Sequence, residues 1–228
     1  MSKETQLQTY EKLAKTLRRA RSKRAFLGPL RRELLSHAQG AVLEVAVGPG
    51  INFQFYPPGL RVTAVDFSPS LLAMARVAPR SPGLEVTFLE ADVEQLAFEP
   101  HSFDTVVSTH SLCAYEDPVR VLRQLSRFCR PGGQMLLLEH GLSTGRWYSP
   151  ALNGLLRALD GWNLKHVGCH TGRDMLKIIQ ASGIGVRRVE ASFGGVHYLI
   201  VARPQPVSPG ERAAERTAPG PLQEPNTD

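Results

Sequence analysis

The 228-residue sequence has no run of about 18 apolar residues, which leaves it without a helix able to span a bilayer. Its first residues are charged and polar and lack the apolar stretch of a secretory signal. They are rich in Arg, but Glu4 and Glu11 set them apart from acid-poor mitochondrial presequences. Cysteine is scarce. Cys113, Cys129 and Cys169 are an odd number, widely spaced and without a CxxC pair, so no disulfide framework is expected and a reducing, cytoplasm-like compartment is. No internal repeat is visible, which sets aside repeat-built architectures.

What is present is a chain that is 42% hydrophobic, long enough to bury a core and carrying a net charge of +6. That charge is unevenly placed. Residues 1–33 hold ten Lys/Arg against three acids, whereas the remaining 195 hold 17 against 18. A near-neutral body therefore carries a cationic arm, residues 1–36. Leu7, Tyr10, Leu13, Ala14, Leu17 and Ala20 recur at helical spacing within 3–35, and Gly28-Pro29 interrupts that run before a second short helix. Such an arm suits a lid over a pocket, peripheral contact of residues 3–35 with an anionic membrane, or nucleic acid. Nucleic acid is disfavoured because the body has no excess of positive charge. Residues 204–228 hold six of the seventeen prolines and few large apolar side chains, the composition of a disordered tail.

Between them, residues 37–203 read as one domain of alternating strands and helices. Strands are predicted at Ala41–Val47, Arg61–Asp66, Glu85–Leu89, Asp104–Ser108 and Gln134–Glu139, the last after a turn at Arg130-Pro131-Gly132-Gly133. Ser68-Pro69 and Asp117-Pro118 each pair a capping side chain with a proline suited to the first helical position. Further helices are predicted near 148–160 and 171–181, the second capped by Thr171 and ended at Gly183. Gly194-Gly195 marks a terminal hairpin between Val186–Ala191 and Val196–Val201. The pattern gives an α/β fold, a mostly parallel sheet with helices on both faces and one antiparallel strand at the end.

Three acids fall on one edge of that sheet. Glu44 precedes the turn Gly48-Pro49-Gly50, Asp66 ends the second strand, and Asp92 follows the third. Ligands of open α/β sheets bind past the carboxyl ends of the strands, where glycines admit close backbone approach and a carboxylate can accept ribose hydroxyls. A dinucleotide site wants a third glycine and a helix facing the pyrophosphate. Here Phe53 takes the glycine's place and Pro57-Pro58 stops the helix. S-adenosylmethionine, which has no phosphate, suits these residues better.

Over residues 41–203 the chain resembles the class I S-adenosylmethionine-dependent methyltransferases. Val42–Gly50 is similar to their first motif, with Ala46 in place of its first glycine. The resemblance implies a Rossmann-like seven-stranded sheet. It also implies S-adenosylmethionine as cofactor, held by Glu44, Ala46, Gly48, Gly50, Asp66, Phe67, Asp92, Val93 and Thr109. Asn52–Gly59, Ser111-Leu112-Cys113, Glu116-Asp117-Pro118, Leu138-Glu139-His140-Gly141, Trp162-Asn163 and Gly168-Cys169-His170 followed by Arg173-Asp174 resemble a narrower subgroup. That subgroup holds membrane-associated thiol methyltransferases and a fungal mitochondrial methyltransferase. It is similar in turn to quinone-biosynthesis and phosphatidylethanolamine methyltransferases.

Methyl transfer from a sulfonium is an in-line displacement, so positioning and water exclusion dominate, and a base is needed only for a protonated acceptor. His110 and His140, past the fourth and fifth strands, are the catalytic candidates. The place after the fourth strand reads Ser108-Thr109-His110-Ser111 and not Asn/Asp-Pro-Pro-Tyr, which disfavours adenine or amide nitrogen as acceptor. Cys113 and Cys129 read as core residues with no base beside them, and Trp147, Tyr148 and Trp162 as core aromatics. His166, Cys169 and His170 lack an evident fourth ligand, so no metal site is expected. The reading is a cytoplasmic, membrane-peripheral methyltransferase of a small, hydrophobic or lipid-like acceptor: a thiol, amine, phenol or quinone. Nucleic-acid or protein methylation and a non-catalytic assembly role are the alternatives.

Overall fold

A computed structural model describes residues 2–19 and 27–205. The tail expected over 204–228 lies almost wholly outside the described residues. Seven strands form one sheet in the order β3-β2-β1-β4-β5-β7-β6. They are β1 (Ala41–Val45), β2 (Arg61–Asp66), β3 (Glu85–Glu90), β4 (Phe103–Thr109), β5 (Cys129–His140), β6 (Gly185–Ser192) and β7 (His197–Arg203). The first five pair in parallel, while β7 runs antiparallel to both β5 and β6. This is the expected Rossmann-like sheet with its terminal hairpin.

The central strands are apolar almost continuously because helices cover both faces, and alternate side chains feed two cores. Val45, Val106 and Leu137 pack with α4 (Pro118–Phe128) and α7 (Met175–Ser182) on one face. Val42, Val107, Leu136 and Leu138 pack with α2 (Gly28–Leu35) and α3 (Pro69–Arg76) on the other. Leu34 and Leu35 are fully buried there, so α2 belongs to the body and not to a free arm. The arm proper is α1 (Lys3–Arg19).

Caps start the helices as local chemistry dictates. Ser68 Oγ accepts from Leu71 N at 3.2 Å, and Asp117 Oδ1 accepts from Arg120 N at 2.9 Å. α7 differs from expectation: Asp174 and not Thr171 is its cap, accepting from Lys177 N at 3.2 Å, while Gly183 ends it with φ 79°. The expected turn at residues 130–133 is taken up inside β5, which pairs with β4 at Cys129 and again from Gln134 onward. The helical stretch near 148–160 is two helices, α5 (Ser149–Ala158) and α6 (Asp160–Val167). Trp147 is 90% exposed and Trp162 59%, so neither is a core aromatic.

Candidate functional site

The sheet order reverses between β1 and β4, and there a cleft of about 240 Å³ opens past the strand ends. Ala46, Gly48, Asp66, Phe67, Asp92, Val93 and Thr109 all line it, as does His110. At Gly48, φ is 56° and nothing lies within 4 Å of where a Cβ would stand, so the backbone is bare toward the cleft. Its N–H donates to Asp66 Oδ2 at 2.8 Å, and Ser68 N donates to Oδ1 at 2.9 Å. Burial nevertheless holds the Asp66 carboxyl above its usual range. Asp92 accepts from Glu94 N at 3.1 Å and from Lys3 Nζ at 3.1 Å.

Glu44 and Gly50 stand behind this wall and do not line the cleft. Glu44 is fully buried and accepts from Asn52 Nδ2 and Tyr56 Oη, each at 2.8 Å. Burial outweighs these bonds and the Arg31 charge, and its carboxyl is pushed up to about 7. Arg31 in turn donates to Asn52 Oδ1 and, at 3.1 Å, to Thr109 Oγ1. A guanidinium is thereby fixed in the cleft wall. Sequence reasoning missed Arg31 and Asn52 as site residues. The available signal was Glu44 itself, an acid in an apolar strand that needs buried partners. Ile51–Phe55 forms one short 3₁₀ turn, with Phe53 buried, in place of a helix aimed at a pyrophosphate.

α1 lies across the cleft. Gln6 Nε2 donates to Ala114 O at 2.8 Å, Tyr10 Oη donates to Gly168 O at 3.1 Å, and the Tyr10 ring meets Phe67 edge-on at 5.7 Å. Glu11 accepts from Ser68 Oγ at 2.7 Å and from Ser70 N at 3.3 Å, at the start of α3. Tyr10 and Leu13 line the cleft from above.

The two candidate histidines separate. His110 is in the cleft, with φ 55° and a buried Nε2 that has no partner among the described residues. Burial, and then the neighbouring His140, Arg31 and His197, hold its pKa well below the usual histidine value. His140 does not line the cleft. Its Nε2 lies 3.0 Å from Cys169 Sγ, and burial is outweighed by that contact, so its pKa is raised. Cys113 shares this cluster, which corrects the expectation that it has no base beside it. The thiol of Cys113 donating to it, and then His140, bring Cys169 down to about 5. His166 and His170 go elsewhere: His170 Nδ1 is 2.7 Å from Asp160 Oδ2, and His166 Nδ1 is 2.8 Å from Trp162 O. Cys129 is a core residue as expected, with a thiol pushed up to about 12 by burial. Glu139, also fully buried, accepts from Ser108 Oγ at 2.6 Å and from Ser111 N at 3.1 Å, and burial pushes it up to about 7.

The family described as "Methyltransferase domain" matches residues 43–137, which span β1 through most of β5 and include every acid of the cleft. Residues 43–137 thus match a methyltransferase domain. The chain's relatives include a phosphatidylethanolamine N-methyltransferase of Cereibacter sphaeroides, 36% identical over 48% of this chain and 57% of that protein. A human thiol S-methyltransferase is 29% identical over 70% of this chain and 69% of that protein. The chain thus spans little more than half of the bacterial relative's length. Among solved structures, an S-adenosylmethionine-dependent methyltransferase from Mesorhizobium loti superposes with a TM-score of 0.55, covering 78% of this chain and 97% of that one at 18% identity. That likeness is one of fold.

Proposed function

We propose that the chain transfers the methyl group of S-adenosylmethionine to a small acceptor with an apolar body, a thiol first among the candidates. The convergence of Gly48, Asp66, Asp92 and Thr109 on one cleft at the β1/β4 reversal carries the reading. Bound there, S-adenosylmethionine supplies a methyl group already activated on a sulfonium. The residues present suit it. Gly48 leaves bare backbone, Asp66 and Asp92 offer acceptors for hydroxyl and amino groups, and Arg31 offers a fixed cation for a carboxylate.

The remaining wall suits an apolar acceptor. Tyr10, Leu13, Ile51, Leu71 and Ala114 face the same space, and α1 closes it from solvent. A cleft roofed by a helix favours a small molecule over a polymer, and relatives named for a thiol and for a phospholipid act on such compounds. His110, kept neutral, is placed to take the proton of the acceptor as it attacks. Peripheral contact with an anionic membrane through residues 3–35 would bring a lipid-like acceptor within reach.

Calorimetry with S-adenosylmethionine and its demethylated product tests the reading. Asp66→Ala is expected to weaken binding about ten-fold or more through loss of charge-assisted hydrogen bonds. Absence of binding by the wild-type chain at millimolar ligand would overturn the enzyme reading, and unchanged affinity in the variant would remove Asp66 from the site.

A further inference from the structure

Beside the cleft, three soft side chains meet that donor binding does not use. Cys113 comes from the loop after β4, His140 from the end of β5, and Cys169 from the turn between α6 and α7. Their ligand atoms all lie within 4.8 Å of one another, and His140 Nε2 is 3.0 Å from Cys169 Sγ. A tetrahedral zinc with two Zn–S bonds and one Zn–N bond would set these atoms about 3.5–3.8 Å apart. The trio reaches that geometry through shifts of about an ångström or less.

The backbone around the trio is already fixed. His170 N donates to Cys113 O at 3.0 Å, stitching the α6–α7 turn onto the loop after β4. Arg173 spans the same junction, donating to Leu112 O at 2.9 Å and to Tyr115 O at 2.5 Å. Holding the two sulfurs and the imidazole together therefore requires little further ordering. Cys113 is buried and the other two are partly exposed, which leaves a path for entry. Two thiolates would balance a divalent charge with the imidazole neutral, so the loaded site would bury no net charge. Sulfur and imidazole select zinc-like cations over magnesium or calcium.

We propose that Cys113, His140 and Cys169 form a binding site for a thiophilic divalent cation, zinc in the first instance, with a fourth position left open. Three protein ligands and one open position is the arrangement of sites that activate a small ligand, as opposed to closed four-ligand structural sites. The trio adjoins the cleft, since Ala114, next to Cys113, lines it and the His110 ring, also lining it, stands 5.4 Å from the His140 ring. The expectation of no metal rested on grouping Cys169 with His166 and His170, which the fold sends elsewhere.

The test uses the full chain, reduced, stripped with chelator and titrated anaerobically with Co(II), then with Zn(II). One equivalent of Co(II) should give thiolate-to-cobalt absorption in the near ultraviolet, which Zn(II) then removes. Cys169→Ser should abolish that absorption and weaken zinc uptake in equilibrium dialysis by at least about ten-fold. Cys129→Ser, whose thiol is remote from the trio, should keep both. Circular dichroism of each variant separates loss of a ligand from loss of fold. The proposal is overturned if the reduced wild-type chain takes up no stoichiometric metal. It is equally overturned if the absorption survives combined Cys113→Ser and Cys169→Ser substitution, or if thiol counting finds only a Cys113–Cys169 disulfide and the reduced chain stays metal-free.

Discussion

Ala46 occupies φ 48°, the left-handed region where a Cβ is costly, at the place where the resembled motif carries glycine. The substitution was legible in the sequence, but the strain it carries was not, because strain depends on the turn around it. Glu139 illustrates the same limit. It read as one residue of a motif, yet the fold buries it among three donors, Ser108, Ser111 and Leu112, and burial outweighs their bonds to leave a carboxyl near 7. The folded chain therefore holds a proton that the unfolded chain releases near 4.5. Stability from this group is complete below about pH 4.5 and is lost as pH rises toward 7, by about 3 kcal/mol. Glu44 acts with the same sign, so urea midpoints of the wild-type chain should fall across this window and Glu139→Gln should flatten the curve without abolishing the slope. A variant that tracks the wild-type curve would mean that Glu139 titrates normally. His110 has the opposite shift. Its imidazole stays neutral to below its ordinary value of 6.5, so with a protonated acceptor the acid limb of kcat should lie below pH 6.5. His110→Ala should remove that limb and lower kcat while donor affinity is retained. An unchanged kcat would exclude His110 as the base.

At the scale of elements, helix starts and most strands followed from capping residues and apolar runs, because those signals are local. Asp117 and Ser68 cap as their sequences dictate. What could not be read was tertiary. α2 looked like a continuation of a basic arm, yet Leu34 and Leu35 lie in the core and Arg31 turns inward to Asn52 and Thr109. Thr171 looked like a cap, and the helix instead begins at Asp174, because Thr171 Oγ1 donates to Leu156 O at 3.1 Å. α1 is the element whose function is most exposed to test. Its described polar contacts to the body run through Gln6, Tyr10, Glu11 and Lys3, beside the Tyr10 ring against Phe67 and a buried Ala14. Deleting residues 1–19 should leave cooperative unfolding of the seven-stranded sheet intact, since neither core includes a described α1 side chain. It should also speed dissociation of the donor product at least about ten-fold by removing the roof. Stopped-flow dissociation at the wild-type rate would show that α1 does not gate the cleft.

For the whole molecule, the net charge of +6 resolves into a near-neutral body and a basic N-terminal stretch, and the structure shows how part of that stretch is used. Lys3 meets Asp92 and Glu94, and Arg31 is buried in the cleft wall. Among the described residues no helix is long and apolar enough to cross a membrane. With α1 docked, Tyr10, Leu13 and Ala14 face the body, so these apolar side chains are not free to enter a bilayer. Attachment through residues 3–35 would then be electrostatic, about 1 kcal/mol for each Lys or Arg close to the surface and screened by salt. The chain should accordingly float with anionic vesicles at low ionic strength, stay behind with neutral ones, and release from anionic vesicles in high salt. Removal of residues 1–19 should abolish the flotation. Flotation that resists salt but needs residues 1–19 would mean that α1 leaves the cleft and inserts its apolar side. Flotation that resists salt and survives the truncation would place the contact instead on the exposed Trp147, Leu155 and Trp162 around α5 and α6.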